Sequence, residues 1–141
     1  MAISACLDSN IYISAIAFGG TPLKVLERAV ARDFSLITSL AILEEVRRNL
    51  VHKLGVAPGL VDQTLQDILS VSSAFVPTGR HKYTGYQPDN LIIETAMMGG
   101  ADILVTGDRQ HLLPLNPFLG MIIESPRNFL ARLDRVRAGI Q

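Results

Sequence analysis

The sequence predicts an α/β chain in three layers, with helices on both faces of a central, mainly parallel sheet of about five strands. Three observations carry that expectation. Short apolar runs alternate along the chain with longer segments of helical periodicity, the pattern of strands joined by crossover helices. Its 141 residues match the usual size of one domain, enough for a proper core and too few for two. Hydrophobic residues make up 48% and charged residues only 18%, so much of the chain must be buried, which counts against disorder.

Residues 3–7 read as the first strand. Thr21 can cap a helix over residues 23–31, and Pro22 suits its first turn. A second strand covers 34–38. Ser39 then caps a helix running to about Lys53, with Leu43, Val46, Leu50 and Leu54 on one face. Gly55 stops it. Residues 60–72 form the next helix, with Leu65, Ile68 and Leu69 inward, and 74–76 a short strand ended by Pro77. Residues 78–88 are polar and irregular, mildly basic at Arg80, His81 and Lys82, as in a surface loop. Asp89 caps an apolar helix over 91–98, closed by Gly99-Gly100. Strand four is 102–105, Gly107 turns the chain, and 109–113 is a helical turn. Strand five is 120–123, and Ser125-Pro126 opens a last helix to about Val136. With no repeat, low-complexity tract or linker, residues 1–141 are expected to form a single domain.

Composition narrows the function classes. The formal net charge is zero, which counts against a protein that grips nucleic acid by broad electrostatic attraction. It leaves open a site where bound cations supply the positive charge. A single cysteine, Cys6, excludes an internal disulfide and a cysteine-based zinc site, and its apolar setting suits a buried hydrophobe. No run approaches the roughly 18–20 apolar residues that cross a membrane, and the N-terminus lacks a signal-peptide pattern. The expected location is cytoplasmic.

Ligands of open parallel sheets collect beyond the carboxyl ends of the strands. Asp8 directly follows the first strand, and Asp108 follows the fourth through Thr106-Gly107. Asp89 opens the helix that leads back into the sheet, and Glu44-Glu45 lie on the helix after strand two. Each acid also has a bland reading, as a cap, a turn residue or a solvated partner of Arg47 or Arg48. Together their spacing reaches as far as a candidate acidic metal site and no further.

The residues around these acids resemble the motifs of PIN-domain proteins. Leu7-Asp8-Ser9-Asn10, followed by Ser14, is similar to the first motif, usually Leu-Asp-Thr-Asn before a helix bearing a serine. Thr38-Ser39 with Leu43-Glu44-Glu45-Val46 resembles the second. Pro88-Asp89-Asn90 with Glu94, then Ala101-Asp102-Ile103-Leu104-Val105-Thr106-Gly107-Asp108, resemble the third and fourth. The segment from Ser125-Pro126 to Leu130 resembles the closing helix of the VapC-like branch, toxin components of toxin–antitoxin systems. Two departures stand out. Ser9 replaces the usual threonine, and Tyr86-Gln87 occupies the place where many relatives carry one more aspartate, which weakens the case for a second metal site.

The resemblance implies a PIN-like fold and a ribonuclease dependent on one or two ions of Mg²⁺ or Mn²⁺. It places the catalytic and metal-binding acids at Asp8, Glu45, Asp89 and Asp108. Glu45 is preferred to Glu44 because it stands six residues after Ser39. Ser9, Asn10, Ser14 and Thr106 become the polar helpers. Glu94, on an otherwise apolar helix, is a further supporting group, and Arg80, Lys82 and Arg109 are weaker candidates to touch RNA phosphates. His52 and His111 have no metal-ligand partner along the sequence and are read as bystanders. An antitoxin and a second copy of the chain are the implied partners, the helices at 22–30 and 61–72 offering apolar surface. The alternatives are a structure-specific DNA nuclease and a non-catalytic PIN interaction module. A receiver or phosphatase-like domain would need a lysine at the strand ends, and none is there.

Overall fold

The computed structural model describes residues 2–139. Five strands, β1 (Ser4–Leu7), β2 (Ser35–Ser39), β3 (Ser72–Phe75), β4 (Ile103–Val105) and β5 (Ile122–Glu124), form one sheet in the order β3-β2-β1-β4-β5. All four pairings are parallel, so the sheet expected to be mainly parallel is wholly so. Among the described residues six α-helices flank it: α1 (Ser9–Phe18), α2 (Gly20–Val30), α3 (Leu40–Arg48), α4 (Pro58–Ser70), α5 (Gln87–Met98) and α6 (Pro126–Arg137). The chain winds outward from β1 through β2 to β3, then returns across the sheet to β4. Right-handed crossovers in opposite directions put α5 on the face away from α1–α4. There it packs on β2, β1 and β4.

The strands read as continuous apolar runs because both faces are covered. In β1, Ala5, Cys6 and Leu7 are all fully buried. Cys6 is the buried hydrophobe expected, and burial pushes its thiol pKa up. Phe34 and Phe129 meet edge to face at 4.9 Å, tying the start of β2 to α6. Tyr12 is wholly buried on α1, its hydroxyl donating to Thr38 Oγ1 at 3.4 Å.

Several boundaries differ from the sequence expectation, each for a local reason. Residues 9–18, given no element by the apolar pattern, form α1, the helix that the first motif implied. Gly19 and Gly20, at φ of 79° and 67°, then turn the chain directly into α2, so Thr21 lies inside that helix and caps nothing. The helix expected to run to Lys53 is α-helical only to Arg48 and widens to a π turn over Asn49–Lys53. The wider turn shifts the helical phase, leaving Leu50 buried and Leu54 exposed rather than inward. β3 sits two residues earlier than its weak apolar signal, as an edge strand with Ser73 and Ala74 exposed. The caps at Ser39 and Ser125 form as expected, accepting from the amides of Ile42 and Asn128, each at 3.2 Å.

Candidate metal centre

The winding direction reverses at β1, which has β2 on one side and β4 on the other. Such a switch point leaves a crevice at the carboxyl ends of the strands. Asp8 and Asp108 enter it from the ends of β1 and β4. The Asp8 amide continues the ladder, donating to the Val105 carbonyl at 2.9 Å. Helices α3 and α5 both begin at this edge of the sheet. Asp89 therefore faces the crevice from the first turn of α5, and Glu45 from the second turn of α3. The four acids line one cleft of about 160 Å³ with Ser9, Asn10, Tyr86 and His111.

Each carboxylate is held differently. Asp8 is buried, and its Oδ2 accepts from the Thr106 hydroxyl at 2.8 Å while its Oδ1 accepts from Ser9 Oγ at 3.3 Å. Burial raises the Asp8 pKa, outweighing the hydrogen bonds from Thr106, the Asn10 amide and Ser9, with Glu45 adding repulsion. Thr106 Oγ1 also accepts from the Asp108 amide at 3.0 Å, so one hydroxyl ties the two strand ends together. Asp108 Oδ1 accepts from the amides of Gln110 and His111, each at 2.9 Å. Desolvation works to raise its pKa, but those amides and the His111 ring bring it below the usual value.

Asp89 is the exception. Its Oδ2 is buried and has no hydrogen-bond partner among the described residues. Desolvation first, then the charges of Asp108 and Asp8, raise its pKa to about 6. An orphaned carboxylate oxygen is costly unless something positive meets it. With three further carboxylates on the same cleft, the lining offers an oxygen-rich donor set of the kind that suits a hard divalent cation.

A PIN-domain family model matches residues 4–110, three-quarters of the chain and all four acids. The chain belongs to the PIN-domain family. PIN domains are nucleases, which makes the chain a member of a hydrolase family. Among solved structures, VapBC2 from Rickettsia felis, bound to a DNA fragment from their promoter, is similar at TM-score 0.61 and 17% identity. That match covers 87% of this chain and 98% of the other. PAE2754 from Pyrobaculum aerophilum is similar at TM-score 0.51 and 17% identity, covering 95% of this chain and 98% of that one. At such identity these two likenesses speak for the fold alone. No curated protein sequence matches.

The remaining candidate residues of this PIN domain divide between the cleft and its surroundings. Glu45 lines the cleft, whereas Glu44 is exposed and faces a separate groove between α3 and α4. Asp89 is not the cap of its helix: Tyr86 holds that position, with Pro88 inside the first turn. Ser14, one turn beyond Asn10 on α1, is not among the residues that line the cleft. Glu94 was expected to support the acids but points elsewhere. Its buried carboxylate accepts from the Thr78 amide at 2.6 Å, the Thr78 hydroxyl at 3.0 Å and the Gly79 amide at 3.1 Å. It thus anchors the loop over 76–86, and these bonds, above all from Thr78, hold its pKa below the usual value against desolvation. Arg80, Lys82 and Arg109 are exposed and none lines the cleft.

One cleft residue, His111, reads in the sequence only as a bystander. His111 lies three residues after Asp108, its Nδ1 3.4 Å from Asp108 Oδ2, and its ring stacks on Tyr86 with centroids 5.3 Å apart. Donor atoms of Asp89, Asp108 and His111 all fall within 4.8 Å of one another. The available signal was the Asp-x-x-His spacing after a strand end, which brings both side chains to one side of a helical turn.

Proposed function

We propose that this PIN domain is a divalent-metal-dependent endoribonuclease that hydrolyses RNA phosphodiester bonds, and that it is the toxin of a toxin–antitoxin pair. The observation that carries the nuclease reading is the convergence of Asp8, Glu45, Asp89 and Asp108 on one cleft around a buried, unpartnered oxygen. Asp8, Asp89 and Asp108, with Glu45, would hold Mg²⁺ or Mn²⁺, as one ion or two. A bound divalent cation supplies Lewis-acid stabilisation of a phosphate and a more acidic water. The chain's own residues supply its position. Thr106 and Ser9 direct their hydroxyls at Asp8, and the amides of Gln110 and His111 take up one oxygen of Asp108. Those bonds fix which carboxylate lone pairs face the cleft. By family analogy the products carry a 5′-phosphate and a 3′-hydroxyl.

The partner assignments belong to the same reading. The fold is shared with the VapBC2 structure, which supports an antitoxin as partner. Exposed Leu23 and Val30 on α2, beside a cavity of about 300 Å³ shared with α4, support a homodimer. None of the described helices is long and apolar enough to cross a membrane, in keeping with a cytoplasmic location.

The test is cleavage of single-stranded and structured RNA, with DNA as a parallel arm, in Mg²⁺ or Mn²⁺. Both EDTA and Asp8→Asn should abolish cleavage, the substitution by about 100-fold or more, since it removes a charged cation ligand. Equal traces from wild type and Asp8→Asn would overturn the nuclease reading and favour an interaction module. Cleavage confined to the DNA arm would move the substrate to DNA.

A further inference from the structure

We propose that the imidazole of His111 is itself a ligand of the cation in this cleft, so that the site selects a first-row transition ion such as Mn²⁺ over Mg²⁺. The inference rests on the metal-nuclease reading above and adds a nitrogen donor to the four carboxylates.

Three features converge on it. One donor atom each from Asp89, Asp108 and His111 lies within 4.8 Å of the other two. A six-coordinate ion with donors at about 2.1 Å spans nearly that distance, so small side-chain adjustments close the set. The carboxylates also leave the right oxygens free. Asp89 Oδ2 is buried without a partner, and Asp108 spends Oδ1 on two backbone amides, turning Oδ2 toward His111. The 3.4 Å from that oxygen to His111 Nδ1 is longer than a good N–H···O bond of about 2.7–3.2 Å. Finally, Tyr86 stacks on the imidazole at 18° between planes. A ring held by its face keeps its edge free, and the nitrogen lone pair lies in that edge. Tyr86 thus positions the ligand. Magnesium strongly favours oxygen donors, whereas imidazole suits transition ions, so a histidine in the set biases the choice.

The deciding measurement is pulsed EPR of Mn²⁺ bound to ¹⁵N-histidine-labelled protein. The expected result is a directly coordinated nitrogen, retained when His52 and His81 are changed to Gln and lost in His111→Gln. Mn²⁺ affinity should fall about tenfold in His111→Gln, with Mg²⁺ affinity nearly unchanged. Circular dichroism confirms that the variant is folded, and the wild-type spectrum decides without it. Bound Mn²⁺ lacking nitrogen coupling would overturn the ligand role while leaving the carboxylate site standing. Failure of the wild type to bind Mn²⁺ at all would overturn both.

Discussion

Thr106 shows how much of the cleft rests on single atoms. Its hydroxyl has one proton, which goes to Asp8, and its oxygen accepts from the Asp108 amide. Valine has the same shape and neither capacity. Thr106→Val should therefore leave the β4 backbone in place but free one Asp8 oxygen and leave the Asp108 amide unsatisfied. Metal affinity should fall about 10–100-fold, the usual consequence of losing a group that orients a ligand. Isothermal titration with Mn²⁺ measures it, and an unchanged affinity would remove Thr106 from the site. Glu94 carries the opposite lesson. A lone acid on an apolar helix reads as a site residue, yet here three donors from Thr78 and Gly79 satisfy it away from the cleft.

At the level of elements, α5 has to approach the sheet closely for its first turn to deliver Asp89. Gly99, just past its last residue, makes that approach possible. A Cβ there would meet Ile37 Cγ2 at 2.5 Å and Phe75 Cε2 at 2.9 Å. Ile37 is buried in β2 and cannot swing away, so the helix end would have to lift. Gly99→Ala should cost about 1–3 kcal/mol, as overpacking does, despite the better helix propensity of alanine. Urea denaturation reads this directly. A neutral or stabilising result would mean that α5 is less tightly seated than its contacts indicate.

For the molecule as a whole, four acids on one cleft are an electrostatic liability that a bound cation would relieve. Burial raises the Asp8 pKa, and burial with neighbouring acids raises that of Asp89 to about 6. A raised carboxyl pKa means the folded state holds a proton that the unfolded state has released. Stability of the metal-free protein attributable to Asp89 should thus fall as pH rises from about 4 to about 6, then level off. The loss should be on the order of 1–2 kcal/mol, allowing for solvent at the cleft mouth. Glu94 and Asp108, whose pKa values are lowered, act in a separate window, contributing stability that fades only as pH drops below about 4. Denaturation in EDTA between pH 4 and 7 should show the decline, Asp89→Asn should lessen it and leave the part due to Asp8, and saturating Mn²⁺ should reverse it. A flat profile in the wild type would contradict the raised Asp89 pKa.

By itself the sequence determined the layered α/β architecture, the order of the strands along the chain, and the placing of Asp8, Asp89 and Asp108 at strand ends and a helix start, with Ser9, Asn10 and Thr106 beside them. It could do so because strand ends and caps are local: Leu7-Asp8 and Val105-Thr106-Gly107-Asp108 each record a strand stopping and an acid following. Only the tertiary structure decided which neighbours share the cleft. Glu45 rather than Glu44 faces it because the seating of α3 on β2 sets the helix phase. Glu94 leaves it because residues 78–79 fold back onto α5. His111 and Tyr86 join it across 25 residues because β3 and β4 bring their following segments to the same edge of the sheet. Such pairings depend on how distant elements stack, and no local pattern of residues records that.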